Sequence, residues 1–163
     1  RTRPCASGAC RRPSRSSGPY RRGGALSDPH PLWLPDPPPA IPRRVGVVGV
    51  CASGKSTLVE ALARLGYDAR QCGQEHSYIP DMWQRLTRPE VLIYLDASSQ
   101  VALQRRAMHS RGRDHAAQRE RLAHAREHCQ VYIDTDPLTP EQVLEVAVRA
   151  LQRLLPCPPA GPR

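Results

Sequence analysis

Two uninterrupted apolar runs mark the chain, Val45-Gly-Val-Val-Gly-Val50 and Val91-Leu-Ile-Tyr-Leu95. Runs of this kind, bounded by polar residues, suit strands covered by helices on both faces of a parallel sheet. Val131-Tyr-Ile133 predicts a third short buried strand, and Tyr67 to Cys72 a weaker one. Between them the period changes. Leu58, Leu62 and Leu65 recur at helical spacing, and Gly66 stands where a left-handed C-terminal cap is wanted. Pro80 to Leu86 predicts a short helix closed off by Pro89, and Ser98 or Ser99 caps another through about Met108. Asp114 to Cys129 is polar and arginine-rich with Leu122, Ala125 and Cys129 on one stripe, which predicts a surface helix. Thr139-Pro140-Glu141-Gln142 offers an N-cap, a first-turn proline and a capping-box Gln, with Leu144, Ala147, Leu151 and Leu154 as the stripe and Pro156 as the stop. Strands alternating with helices predict an α/β sandwich of three layers. Its short parallel sheet is flanked by helices, and ligands bind at the carboxyl ends of the strands.

Composition divides the 163 residues unevenly. The first 44 hold 10 of the 18 prolines and nine arginines against two aspartates, a net of +7 out of +9. So few apolar residues cannot offset the entropy of ordering the chain, and residues 1–42 read as a disordered tail. Residues 43–155 are expected to form the one domain, with 156–163 a second disordered tail. The first methionine is Met82, so the natural start is expected upstream of Arg1 or at another codon near Val45. A basic tail can hold polyanions, but this one lacks interleaved aromatics and any nucleic-acid reading motif, which argues against that partner. Cys5, Cys10, Cys51, Cys72, Cys129 and Cys157 form no CxxC pair, against a disulfide framework or structural zinc. No apolar run approaches the roughly 20 residues that span a bilayer. A cytoplasmic protein without membrane contact is expected.

The chemistry lies between the first strand and the first helix. Gly49-Val50-Cys51-Ala52-Ser53-Gly54-Lys55-Ser56 fits G-x-x-x-x-G-K-[ST] at every fixed position, and Thr57 continues it. A triphosphate needs several donors at short range. A glycine-rich loop ending on a helix N-terminus supplies backbone N–H groups and the positive end of the helix dipole. Lys55 is expected to bridge β- and γ-phosphates from an exposed position, and the Ser56 hydroxyl to ligate Mg²⁺. Lys55 is also the only lysine in the chain, every other basic side chain being arginine. An arginine fork is planar and wide and does not replace a point charge inside such a loop. Cys51 reads as loop filler and His76 as an ordinary loop histidine. Two acidic residues qualify as metal ligand or base, Asp96 after the Val91 run and Glu75 in Gly73-Gln-Glu-His-Ser77. Guanine selection would want an N/T-K-x-D motif, and a chain with no asparagine and no second lysine has none, so ATP is the expected nucleotide.

On these residues the chain resembles the P-loop small-molecule kinases, the P-loop NTPase fold of nucleotide, deoxynucleoside, thymidylate and shikimate kinases, over about Val45 to Leu155. The stretch from Pro89 through Arg105-Arg106 to Arg111-Gly-Arg113 is similar to the strand, helix and arginine-bearing lid entry of thymidylate and deoxynucleoside kinases. Ile133-Asp134-Thr135-Asp136-Pro137 resembles a segment that lies near the adenine in shikimate kinase-like enzymes. The resemblance implies that Arg106, Arg111 and Arg113 close over the phosphates. It also implies that Asp134 and Thr135 border the nucleotide and that a small-molecule hydroxyl accepts the phosphoryl group. Where the family spends a substrate-binding helical region, this chain has only about 20 residues between Leu65 and Leu86. Its acceptor site is expected to be abbreviated, or completed by another chain in an oligomer. A nucleotide-binding accessory or switch protein is the competing expectation.

Overall fold

The computed structural model describes residues 35–106, apart from the side chain of Arg106, and residues 115–155. Four strands, β1 (Arg44–Gly49), β2 (Asp68–Gln71), β3 (Val91–Asp96) and β4 (Val131–Asp134), form one sheet in the order β2-β1-β3-β4. Every pairing is parallel, with Val47 opposite Ile93 and Asp96 opposite Asp134. All four expected strands are present. The chain leaves β1 toward β2 on one side and reaches β3 and β4 on the other, so the sheet reverses direction beside β1. In open α/β sheets that reversal leaves a crevice at the carboxyl ends.

Alternation along the strands builds two cores. Val45, Val47, Ile93, Leu95 and Ile133 pack with Leu58 and Leu62 of α1 (Lys55–Arg64) and with Val143, Ala147 and Leu151 of α6 (Pro140–Leu154). On the opposite face, Val48, Leu92 and Tyr94 pack with Trp83 of α2 (Met82–Thr87) and with Leu122 and Ala125 beside α5 (Ala123–His128). Helices therefore cover both faces of an all-parallel sheet. The remaining α-helices among the described residues are α3 (Ser99–Arg106) and α4 (His115–Arg121). No helix among the described residues is long and apolar enough to cross a membrane.

Several boundaries differ from the sequence reading. Helix α1 ends one residue before Leu65, which is 47% exposed because it is the C-cap. Gly66 (φ 85°) closes the helix as expected, its N–H bonding Ala63 and that of Tyr67 bonding Leu62. The stripe of α6 is Val143, Ala147, Leu151 and Leu155, while Leu154 is 44% exposed. Thr139 and Gln142 do form the reciprocal capping box. The single surface helix expected over Asp114–Cys129 is two helices broken at Leu122. That residue is fully buried because α4 packs on the Gln74–His76 turn and α5 on β3. Contacts also reach further back than Arg43. The carbonyls of Pro35 and Pro39 accept from Arg85 and Arg88, and Ile41 N–H bonds the Arg88 carbonyl.

Candidate functional site

The crevice beside β1 is filled by the loop that carries the glycine-lysine motif. Gly49 passes so close to β3 that a Cβ there would lie 2.2 Å from the Leu95 carbonyl oxygen. Only glycine lets the two strand ends approach this far. Ala52 adopts φ 63°, a conformation that residues with a Cβ seldom take and that is over-represented at functional sites. Gly54 (φ 92°) turns the chain into α1, and the first helical bond there runs from Leu58 N–H to the Gly54 carbonyl. Gly54 has no side chain with which to cap α1. The N–H groups of Lys55, Ser56 and Thr57 at the first turn therefore have no intrahelical acceptor. Gln118 of α4, itself buried, accepts the Cys51 N–H at 2.9 Å and fixes the middle of the loop.

Lys55 folds back under this loop instead of extending into solvent. Its ammonium donates to the carbonyls of Gly49 (2.9 Å) and Val50 (3.0 Å) and meets Glu75 Oε1 at 2.7 Å. The side chain is only 11% exposed, so the expectation of an exposed lysine is corrected: the Glu75 carboxylate draws it inward. Glu75 is brought there by the turn after β2. Gln74, fully buried, donates to the carbonyls of Ile79 (2.8 Å) and Arg121 (3.3 Å) and accepts the Trp83 N–H (2.9 Å). That brace holds the turn against the loop. One carboxylate oxygen, Glu75 Oε2, is buried without a hydrogen-bond partner, and so is the Ser53 hydroxyl. Such orphans are rare in folded proteins, and they cluster here on the loop and its neighbour.

A cavity of about 520 Å³ opens over the loop. One wall is Ala52 to Leu58, and the other is formed by Arg105, Thr135, Leu138, Pro140 and Val143. Arg105 donates to the Thr135 hydroxyl (3.0 Å) and carbonyl (2.8 Å), joining α3 to the segment after β4. Its volume falls within the roughly 300–1,000 Å³ of small-molecule sites. Its lining mixes the cations Lys55 and Arg105 and the hydroxyls of Ser56, Thr57 and Thr135 with apolar Leu58, Leu138, Pro140 and Val143.

Of the residues expected at a nucleotide site, Ala52 through Thr57 and Thr135 line this cavity. Gly49 and Val50 contribute carbonyls to Lys55, while Cys51 faces Glu75 and His76. Asp134 instead accepts the Asp136 N–H and shapes the turn. The Ser56 hydroxyl donates to Gln71 Oε1 at 3.0 Å. Asp96 is committed within the protein: Oδ1 accepts the Ala97 N–H (3.0 Å), and Oδ2 takes the Arg119 guanidinium and the Tyr132 hydroxyl (2.7 Å). Burial, reinforced by the Asp96 charge, pushes the stacked Tyr94 up to about 12. Burial followed by the Glu75 charge pushes the Cys72 thiol up to about 11, so it stays a neutral core group. Arg111 and Arg113 lie outside the described residues, as does the Arg106 side chain, so the expected lid lies outside them too. Sequence reading missed Arg105, Gln74 and Gln118. Only Arg105 had a local signal, three residues beyond the buried Ala102 on the inward face of α3. No known family model matches the chain, and no curated protein is similar to it in sequence.

Proposed function

We propose that the chain is a small P-loop kinase, binding ATP on the Gly49–Thr57 loop and transferring its γ-phosphoryl group to a small hydroxyl acceptor. The observation that carries this reading is the cavity itself. It is lined by the first turn of a helix, by the only lysine and by apolar Leu138, Pro140 and Val143. Phosphates suit the helix N-terminus with Lys55, and a base suits Leu138, Pro140 and Val143. Lys55 would exchange the Gly49 and Val50 carbonyls for phosphate oxygens, and Arg105 would add charge from α3.

Glu75 serves as the base. The acceptor oxygen attacks the γ-phosphorus, the bond to the leaving diphosphate breaks, and the acceptor proton passes to the unpartnered Glu75 oxygen. The Ser56 hydroxyl and the Gln71 carboxamide oxygen are hard, neutral donors at the first turn of α1, a set that fits Mg²⁺ retaining several waters. Bound there, the ion would neutralise phosphate charge. Asp96 takes no part in that set, because its oxygens are already used.

One observation favours the competing reading of a nucleotide-binding accessory protein: between α1 and α2 there is only a four-residue strand and a single 3-10 turn. Incubating the chain with labelled ATP, Mg²⁺ and a panel of nucleosides, nucleotides and hydroxyl metabolites separates the two. Transfer to any acceptor above hydrolysis is expected. Tight ATP binding with no transfer selects the accessory protein, and no binding removes both.

A further inference from the structure

Next to Lys55, three side chains of different chemistry converge. Cys51 Sγ lies 3.6 Å from His76 Nε2 and 3.8 Å from Glu75 Oε1, and the last two are 3.7 Å apart. We propose that Cys51, Glu75 and His76 hold one zinc ion, with its fourth coordination position open to solvent. This site goes beyond the nucleotide reading; it shares Glu75 with the base assigned there, and its test reads metal binding alone.

The triangle has the size of a tetrahedral face. Zinc bonds of about 2.3 Å to sulfur and 2.0–2.2 Å to nitrogen and oxygen place neighbouring ligand atoms roughly 3.3–3.6 Å apart. The observed edges of 3.6, 3.7 and 3.8 Å need to close by only a few tenths of an ångström. An octahedral Mg²⁺ site would require oxygen donors about 2.9 Å apart, from bonds of 2.0–2.1 Å. A thiol with an imidazole selects a softer ion.

Glu75 provides a further observation. Its carboxylate is buried; Oε1 faces Cys51, His76 and Lys55, while Oε2 has no hydrogen-bond partner. A buried carboxylate this short of hydrogen bonds is compensated by a bound cation. Solvent reaches the cluster, since the His76 side chain is 43% exposed and Cys51 is half-buried. On binding, the Cys51 thiol gives up its proton to solvent, and the metal replaces it as the thiolate's partner. The ion would then tie the loop after β1 to the turn after β2. No local spacing announces such a site, because parallel pairing of β1 with β2 brings together residues 24 and 25 positions apart.

Cobalt(II) tests this on the full chain, reduced and stripped of metal. One equivalent is expected to bind with a thiolate-to-cobalt charge-transfer band that zinc displaces and excess Mg²⁺ does not. Cys51→Ser should abolish the band, His76→Ala should weaken cobalt and zinc affinity at least tenfold, and Cys129→Ser should change neither. Circular dichroism establishes that the variants fold; should Cys51→Ser fail, the exposed His76→Ala carries the test with Glu75→Gln. Absence of the band in the wild type overturns the site, as does full affinity in His76→Ala.

Discussion

Two buried carboxylates stand at the carboxyl ends of the strands flanking β1, and the protein treats them oppositely. Asp96, at the end of β3, has both oxygens satisfied by a backbone N–H, a guanidinium and a phenol. Glu75, in the turn after β2, meets the only lysine with one oxygen and leaves the other buried and unbonded. Removing a carboxylate from water costs several kcal/mol unless hydrogen bonds replace what is lost. Asp96 has recovered that cost inside the fold and acts as a brace between β3, α4 and β4. Glu75 has recovered it only in part, and its spare oxygen is the natural place for an incoming proton. Equivalent positions on a sheet thus separate into structural and chemical roles by hydrogen bonding rather than by burial.

The largest effect should come from removing the brace. Asp96→Ala strands the buried Ala97 N–H and frees Arg119 and the Tyr132 hydroxyl, at a cost of about 3 kcal/mol. For a domain of this size that is a fall in Tm of roughly 10–20 °C. Urea unfolding measures it, and Asp96→Asn, which keeps an acceptor, should lose less. A near-neutral Asp96→Ala would break the comparison at its structural end.

At the chemical end, Glu75→Gln keeps the shape and removes the base. Under the proposed kinase chemistry, turnover should fall by about a hundredfold or more, while stability changes by less than about 1 kcal/mol because the amide still accepts from Lys55. Steady-state kinetics beside a melting curve provides both numbers. A variant that unfolds with its activity per folded molecule intact would assign Glu75 to the scaffold.

The frame that carries this division is legible in the sequence, while the division between Glu75 and Asp96 is not. All four strands, the capping box at Thr139 and Gln142 and the glycine-lysine loop are local features, set by periodicity and backbone chemistry over a few residues. The burial of Lys55 was not, because the carboxylate that draws it inward comes from a turn 20 positions away. Nor was the commitment of Asp96, whose partners Arg119 and Tyr132 lie 23 and 36 positions downstream. Nothing local marks Gln118 and Gln74 as buried, yet each is buried and satisfies backbone groups of other segments. Leu65 is the C-cap of α1 and not part of its stripe, and the stripe of α6 ends on Leu155 instead of Leu154, because residues at the edge of a face are told apart only by what packs there.

Lys55→Ala sharpens the comparison further, since it leaves Glu75 without its cation. Losing a charged contact to phosphate, worth about 1.5–3 kcal/mol, should weaken ATP roughly tenfold to a hundredfold. Lys55→Arg should not restore it, because the planar fork does not fit between the Gly49 and Val50 carbonyls. Stability should drop as well, by about 1–3 kcal/mol for the uncompensated carboxylate. Adding Glu75→Gln should return the stability but not the affinity. Calorimetric titration of ATP with Mg²⁺ into the single and double variants separates the two effects, and equal ATP affinity in all of them would remove the phosphate role of the loop.

Tyr132→Phe should have the smallest effect, and it tests whether Asp96 is as fully satisfied as its contacts suggest. The change deletes the 2.7 Å hydroxyl bond to Asp96 and keeps the ring stacked on Tyr94 at 5.6 Å. Because Tyr132 is 46% exposed, water replaces part of what is lost, and the cost should be only about 0.5–1 kcal/mol at neutral pH. Alkaline pH adds a second readout. Tyr132 is pushed up to about 12, first by burial and then by its bond to Asp96, and Tyr94 also stands at about 12 against an ordinary 10.0. A tyrosine raised in the folded state holds its proton there while the unfolded chain has released it. Its stabilising contribution is therefore complete below about pH 10 and is lost as pH rises toward 12. Wild type should lose stability across that interval, and Tyr132→Phe, with one raised phenol instead of two, should lose less. Parallel slopes for the two proteins in urea unfolding at increasing pH would mean that the Tyr132 hydroxyl is not held by Asp96, leaving that carboxylate closer in character to Glu75.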